Sequence, residues 1–140
     1  MTTARDIMHH GALCVTEHQT LTDAARMMRD LGVGALPICG DDERLMGIIT
    51  DRDIVVTCIA EGRDPSTVTA AELAQGRPLV IEESDDIEQV LDLMEQHQVR
   101  RLPVINHPSH RLTGMISEAD VARHLPEKRV AEFVSAICAE

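Results

Sequence analysis

The 140-residue chain is long enough for one ordinary domain or two very small ones. One Phe, no Tyr and no Trp leave the core to Val, Ile, Leu, Met and Ala, and remove the stacking platforms that single-stranded nucleic acid needs. Thirteen Lys and Arg against 24 Asp and Glu give a formal charge of −11, a surface that repels phosphate backbones and excludes general nucleic-acid binding.

In chain order, Leu13-Cys14-Val15 reads as a short apolar strand. Thr20 then caps a helix with Leu21, Ala24, Ala25, Met28 and Leu31 at helical spacing, and Gly32 stands at its stop. Ala35 to Cys39 and Leu45 to Ile49 are strands around the polar turn GDDER, the pattern of a hairpin. After Thr50 a second helix carries Ile54, Val55, Cys58 and Ile59 on one face. The linker is Gly62 to Ser66. Leu79-Val80-Ile81 is the next strand, and Asp86 caps a helix with Ile87, Val90, Leu91 and Met94, with Gln89 completing a capping box. Leu102 to Ile105 and Leu112 to Ile116 flank the loop NHPSHR. Beyond Pro126, the spacing of Val130, Phe133, Val134, Ile137 and Cys138 predicts an amphipathic C-terminal helix.

The chain is an internal duplication. At an offset of 66, Val15 meets Ile81, Met28 meets Met94, and Leu36-Pro37-Ile38 meets Leu102-Pro103-Val104. One inserted residue raises the offset to 67, and Gly47 to Asp53 (GIITDRD) then meets Gly114 to Asp120 (GMISEAD). Each copy reads β-α-β-β-α, an α/β class. The boundaries fall at 1–64, 65–125 and 126–140 for the two repeats and the final helix. Copies this small hold little core alone and should pack as one pseudo-symmetric pair. The repeated Gly-x-x-Thr/Ser-x-x-Asp has two readings. Thr50 with Asp53, and Ser117 with Asp120, form capping boxes with an acidic third residue. The same atoms at a helix N-terminus suit a phosphate and a ribose. Glycine at the head of both motifs admits close approach by backbone or ligand.

These motifs, duplicated at this spacing over about Thr3 to Leu125, resemble a tandem pair of CBS domains, a Bateman module standing alone without an attached enzyme. The resemblance implies two repeats packed with pseudo-two-fold symmetry around two clefts, a regulatory or sensor role, a homodimer, and AMP, ADP or ATP as the ligand class. It assigns Thr50 and Ser117 to phosphate and ribose, Asp53 and Asp120 to ribose hydroxyls, Val15 and Ile81 to the adenine pocket, and Arg100 and Arg101 to phosphate. Copy one departs from that pattern, with Gly34 and Ala35 in place of the arginines and only Arg52 nearby in sequence. Unit charges about 4 Å apart interact by roughly 4 kcal/mol at an effective dielectric of 20. The resemblance therefore implies unequal sites, with binding weak or confined to one cleft. The alternative is a ligand-free structural or protein-interaction module, of a stress-response kind, that has lost nucleotide binding and meets a protein partner the sequence does not name.

The four cysteines show no zinc-finger spacing, and buried free thiols are their plain reading. If one disulfide forms, Cys14–Cys39 is the pair, because a right-handed β-α-β crossover sets their strands side by side. His9-His10, His107 and His110 read as solvated, the acidic run Asp41-Asp42-Glu43 as a turn, and no metal site is assigned. The sequence has no G-x-S-x-G, P-loop, H-E-x-x-H or G-x-G-x-x-G, so no enzyme is expected. No apolar run approaches the roughly 18 residues that span a bilayer. No apolar h-region follows Met1, which points to the cytoplasm, with non-classical export as the alternative.

Overall fold

The computed structural model describes residues 1–11, 13–74 and 78–138. In chain order the elements are α1 (Ala4–Ile7), β1 (His9–His10), β2 (Val15–Thr16), α2 (Leu21–Leu31), β3 (Ala35–Cys39), β4 (Leu45–Thr50) and α3 (Asp51–Asp53), which runs on into a π-helical segment (Ile54–Ile59). A 3-10 turn (Ala70–Leu73) leads to β5 (Ile81–Glu82), α4 (Ile87–His97), β6 (Arg101–Ile105), β7 (Leu112–Ser117), α5 (Glu118–His124) and α6 (Glu127–Ile137). The β-α-β-β-α order is present twice, with the extra C-terminal helix.

The compact units do not follow the 1–64 and 65–125 partition. Leu13–Pro78 forms the first-repeat unit, and Met1–Ala12 joins Leu79–Glu140 in the second-repeat unit. The first holds the sheet β2-β3-β4 and the second the sheet β1-β7-β6-β5. Their entry segments are built alike. In the second-repeat unit the Ala4 amide donates to the Asp85 carbonyl at 2.9 Å, and in the first-repeat unit the Ala70 amide donates to the Gln19 carbonyl at 2.8 Å. Each of these segments precedes one repeat in sequence and closes the other. Thr3 with Asp6, and Thr69 with Glu72, cap them by reciprocal hydrogen bonds.

The glycines heading the repeated motif serve this closure. A β-carbon on Gly114 would lie 2.6 Å from the His9 carbonyl oxygen and 2.9 Å from the Met8 sulfur. One on Gly47 would lie 3.1 Å from the Ala74 β-carbon. Of the two partners these glycines admit, backbone or ligand, chain from the entry segment is the one that makes the close approach.

Strands β2 and β5 begin later than the apolar runs Leu13 to Val15 and Leu79 to Ile81 predict. Only Val15 and Thr16 lie along β3, and only Ile81 and Glu82 along β6, both in parallel register. The chain then turns. The Thr16 amide donates to Gln19 Oε1 at 2.8 Å, and the Glu82 amide to Asp85 Oδ2 at 2.9 Å. Thr20 caps α2 by accepting from the Asp23 amide, and Gly32 ends it at φ 68°. Asp86 caps α4 through the Glu88 amide, one residue short of the expected box with Gln89.

Two aliphatic cores result. Val15, Leu21, Ala24, Ile38, Ile49 and Cys58 anchor the first. Ile81, Val90, Leu91, Met94, Val104 and Ile116 anchor the second, to which α6 adds Phe133 and Ile137. The apolar stripe of α6 is thus turned largely into its own unit, with Val130 and Val134 half-buried against the same core. Arg129 of α6 donates to Glu88 at 3.1 Å and Glu95 at 3.3 Å on α4. Burial depresses its guanidinium, but those carboxylates outweigh burial and hold it above its usual value. Cys14 and Cys39 are disulfide-bonded with Cα atoms 5.7 Å apart, as strand adjacency required, while Cys58 is a buried thiol and Cys138 an exposed one. No helix among the described residues is long and apolar enough to cross a membrane.

Gly114→Ala should displace β1 and cost about 1–3 kcal/mol, as overpacking does. Gly47→Ala should cost less, and urea denaturation of the two variants checks the order. A second expectation concerns acid. The Thr3 and Thr69 backbone amides hold the Asp6 and Glu72 carboxyls below their usual range. A depressed folded-state pKa adds stability above the unfolded values, about 3.9 and 4.3, and loses it as pH falls through the lower folded ones. Asp6→Asn combined with Glu72→Gln should therefore be less stable than the parent at neutral pH, with the gap closing in strong acid on a pH series of melting curves.

Candidate functional site

Each repeat ends its third strand at a helix N-terminus. In the first-repeat unit the Thr50 amide donates to Asp53 Oδ2 at 2.9 Å, and the Asp53 amide donates to Thr50 Oγ1 at 3.0 Å. In the second-repeat unit Asp120 is buried, 5% exposed. Its Oδ2 accepts from the Ser117 amide at 2.9 Å and the Ser117 hydroxyl at 3.0 Å, while Oδ1 accepts from Arg123 at 3.2 Å. The hydroxyls and carboxylates assigned to ribose and phosphate thus take part in capping, and Asp120 in an ion pair as well.

The other assigned residues lie on the strands of the same two sheets or, for Arg100, just ahead of one. Val15 and Ile81 are buried on β2 and β5. Arg101 is the register partner of Ser117, and the Arg100 carbonyl accepts the Glu118 amide at 2.9 Å. The structure thus gathers Arg100, Arg101, Ser117 and Asp120. The Arg100 guanidinium, however, lies 3.5 Å from Glu118 and 3.7 Å from the Cys138 sulfur. In the first-repeat unit Gly34 faces Asp51. A β-carbon there would lie 3.1 Å from its carboxylate oxygen, so Asp51, the counterpart of Glu118, borders a glycine where the second repeat carries Arg100. Arg52 is exposed.

A different cluster lies where β2 and β3 end. Because the two strands are parallel, the turn leaving β2 and the loop leaving β3 meet. The Glu17 amide donates to the Cys39 carbonyl at 3.1 Å, and the Cys14–Cys39 bridge ties the same two chain segments. Glu17, His18 and Asp41 consequently offer one ligand atom each within 4.8 Å of one another. His18 Nε2 is 3.3 Å from Glu17 Oε1. That is the edge of a tetrahedron whose bonds to zinc are about 2.0–2.1 Å. Two carboxylates and an imidazole are hard-to-borderline donors, and they leave a coordination position for water or another ligand. The residues fit a divalent cation. Sequence reasoning missed this trio because Asp41 stands 24 residues after Glu17 with no ligand spacing to mark it; the strand adjacency that paired the cysteines was the available signal.

Residues 4–58 and 70–127 match the CBS domain family. The chain belongs to that family as a tandem pair, a regulatory module. It is similar to Hypoxic response protein 1 of Mycobacterium tuberculosis strain H37Rv, at 56% identity over 138 residues, 99% of this chain and 95% of that protein. CBS domain-containing protein YhcV of Bacillus subtilis strain 168 is 35% identical over 126 residues, 87% of this chain and 84% of that protein. A crystal structure of Hypoxic Response Protein I with two coordinated zinc ions is 57% identical, with a TM-score of 0.81 over 89% of this chain and 100% of that one. A structure of CBSX2 in complex with AMP shares the fold at 24% identity and a TM-score of 0.75, over 86% of this chain and 93% of that one.

Proposed function

We propose that this chain is a stand-alone CBS-pair module of a stress response whose ligand is a divalent metal ion, zinc above all, held by Glu17, His18 and Asp41. The convergence of those three donors carries the reading. The similar Hypoxic Response Protein I structure, which holds two coordinated zinc ions, supports it. A bound ion supplies positive charge and an open coordination position. The chain's own residues hold it between two loops fixed by β2, β3 and the disulfide. Nucleotide binding recedes in this reading, because Asp120 already spends both oxygens on Ser117 and Arg123, and Gly34 faces a carboxylate.

Zinc titrated calorimetrically into the metal-free chain should give saturable heat, and His18→Ala should abolish the part owed to this site. AMP, ADP and ATP should give none. Nucleotide heat that falls in Arg101→Ala more than in Arg52→Ala would restore the adenine-nucleotide reading instead.

The module acts as a homodimer in this proposal. Its apolar surface lies on the first-repeat unit, where Val55, Val56 and Ile59 are exposed on the helix after β4, and Leu31 and Val33 at the end of α2. Light scattering should give twice the chain mass of 15.4 kDa. Val55→Glu with Ile59→Glu should shift the particle to the monomer mass, and an unchanged mass would move the interface elsewhere.

A further inference from the structure

We infer that the second-repeat unit carries a metal site of its own, built from Glu82, His107 and His110 at the end of β5 and β6. The inference goes beyond the trio at Glu17 and stands on separate residues. At the repeat offset of 66, Glu82 corresponds to Thr16 and His107 to Asp41. The parallel pair β5–β6 repeats β2–β3, with Ile81 opposite Val104 and Glu82 opposite Ile105. Donors leaving the same ends of the two strands are therefore brought together a second time.

The Glu82–His107 distance agrees with that placement, and His110 stands one ring movement away. His107 Nδ1 lies 3.3 Å from Glu82 Oε1, the separation also found between His18 and Glu17. It matches the ligand-to-ligand edge of a tetrahedral zinc site with bonds of about 2.0–2.1 Å. The His107 and His110 rings stand 6.1 Å apart, nearly perpendicular. The loop that presents them is held by its own backbone. The His110 amide donates to the Asn106 carbonyl at 2.8 Å, and the Asn106 amide to the Arg111 carbonyl at 2.9 Å. His110 is thereby turned back toward His107. Both imidazoles are exposed, so completing the site asks only that the His110 ring turn toward the Glu82–His107 pair, a surface movement outside the core.

The donor set also indicates which ion. Two imidazoles and one carboxylate favour zinc, copper or nickel over magnesium and calcium, which prefer all-oxygen shells. The site at Glu17 has the reverse ratio, so the second-repeat site should be the more selective for the borderline metals. The chain's charge of −11 favours the approach of any of these cations.

The test is zinc stoichiometry on the full chain, by calorimetry and equilibrium dialysis, in a Cys138→Ser background that removes the exposed thiol. The parent should bind two ions per chain. His107→Ala with His110→Ala should bind one, and His18→Ala should bind the other one. Nuclear magnetic resonance of the imidazole side chains gives a readout independent of variant folding. Zinc should shift His107 and His110 in the parent and in His18→Ala alike, while magnesium leaves them unmoved. A double variant that binds as many ions as the parent, or His107 and His110 signals that ignore zinc, overturns this site while leaving the Glu17 proposal standing. Loss of one ion in the double variant but none in His18→Ala does the opposite.

Discussion

The His9 carbonyl lies where a β-carbon on Gly114 would have to stand. That approach lets β1 add to β7 as the edge of the second-repeat sheet, with His9 opposite Met115 and His10 opposite Gly114. The strand comes from the first residues of the chain, ahead of the other repeat. The first-repeat unit is closed in the same manner by residues that follow it, through the Ala70 amide on the Gln19 carbonyl and the Leu21 amide on the Val68 carbonyl. A repeat of about 60 residues buries too little apolar surface to stand without such additions. Exchange of the entry segments makes closure of each unit depend on chain that borders the other repeat, so a repeat excised at 1–64 or 65–125 would lack one wall of its core.

The same local chemistry decides what the repeated turn motif does within this chain. A helix N-terminus and a hydroxyl next to a carboxylate are suited to a nucleotide, yet they are equally suited to each other. Here they have found each other. A ribose reaching Asp120 would meet an oxygen already shared by the Ser117 amide and hydroxyl, and would compete with Arg123 for the other. Hydrogen bonds to charged groups contribute about 1.5–3 kcal/mol each. Part of what ribose hydroxyls would gain there is offset by the Arg123 bond they compete with. In the first-repeat unit the balance is worse for a phosphate, since Asp51 faces Gly34 with no arginine at that place.

What the sequence made legible was what local pattern and strand adjacency determine. The period of Leu21, Ala24 and Met28 marked α2, and the β-α-β crossover placed Cys14 beside Cys39. Other features depended on distant chain. Thr3-x-x-Asp6 reads as the start of the repeat it precedes, and nothing in it says that Ala4 will bond to Asp85. The stripe on α6 showed that one face is buried and not what buries it; Phe133 turned out to complete the core of its own unit. Glu17, His18 and Asp41 carry no spacing signature, because a loop-to-loop site is set by strand register rather than by sequence interval.

Divergence between the two repeats then has a physical direction. At the offset of 67, Val55 and Val56 correspond to Ala122 and Arg123. In the second repeat Arg123 is bound to Asp120, and α6 packs on α4 and α5. Among the described residues the first-repeat unit has no counterpart of α6, and Val55 and Ile59 remain more than half exposed, at 57% and 52%. Apolar surface contributes roughly 25 cal/mol for each Å² removed from water, so a surface of this kind favours being covered. The bridge divides the repeats in the same sense. Cys14 and Cys39 tie β2 to β3, whereas their counterparts Val80 and Ile105 leave β5 and β6 joined by hydrogen bonds and packing alone. Closing a loop of this length adds on the order of 3 kcal/mol in the chain-entropy model. The first-repeat unit, which lacks a covering helix, is the one that is cross-linked. The second, which has the helix, keeps its strand ends free of any covalent tie, so its loop donors are positioned by backbone hydrogen bonds that a bound ion would reinforce.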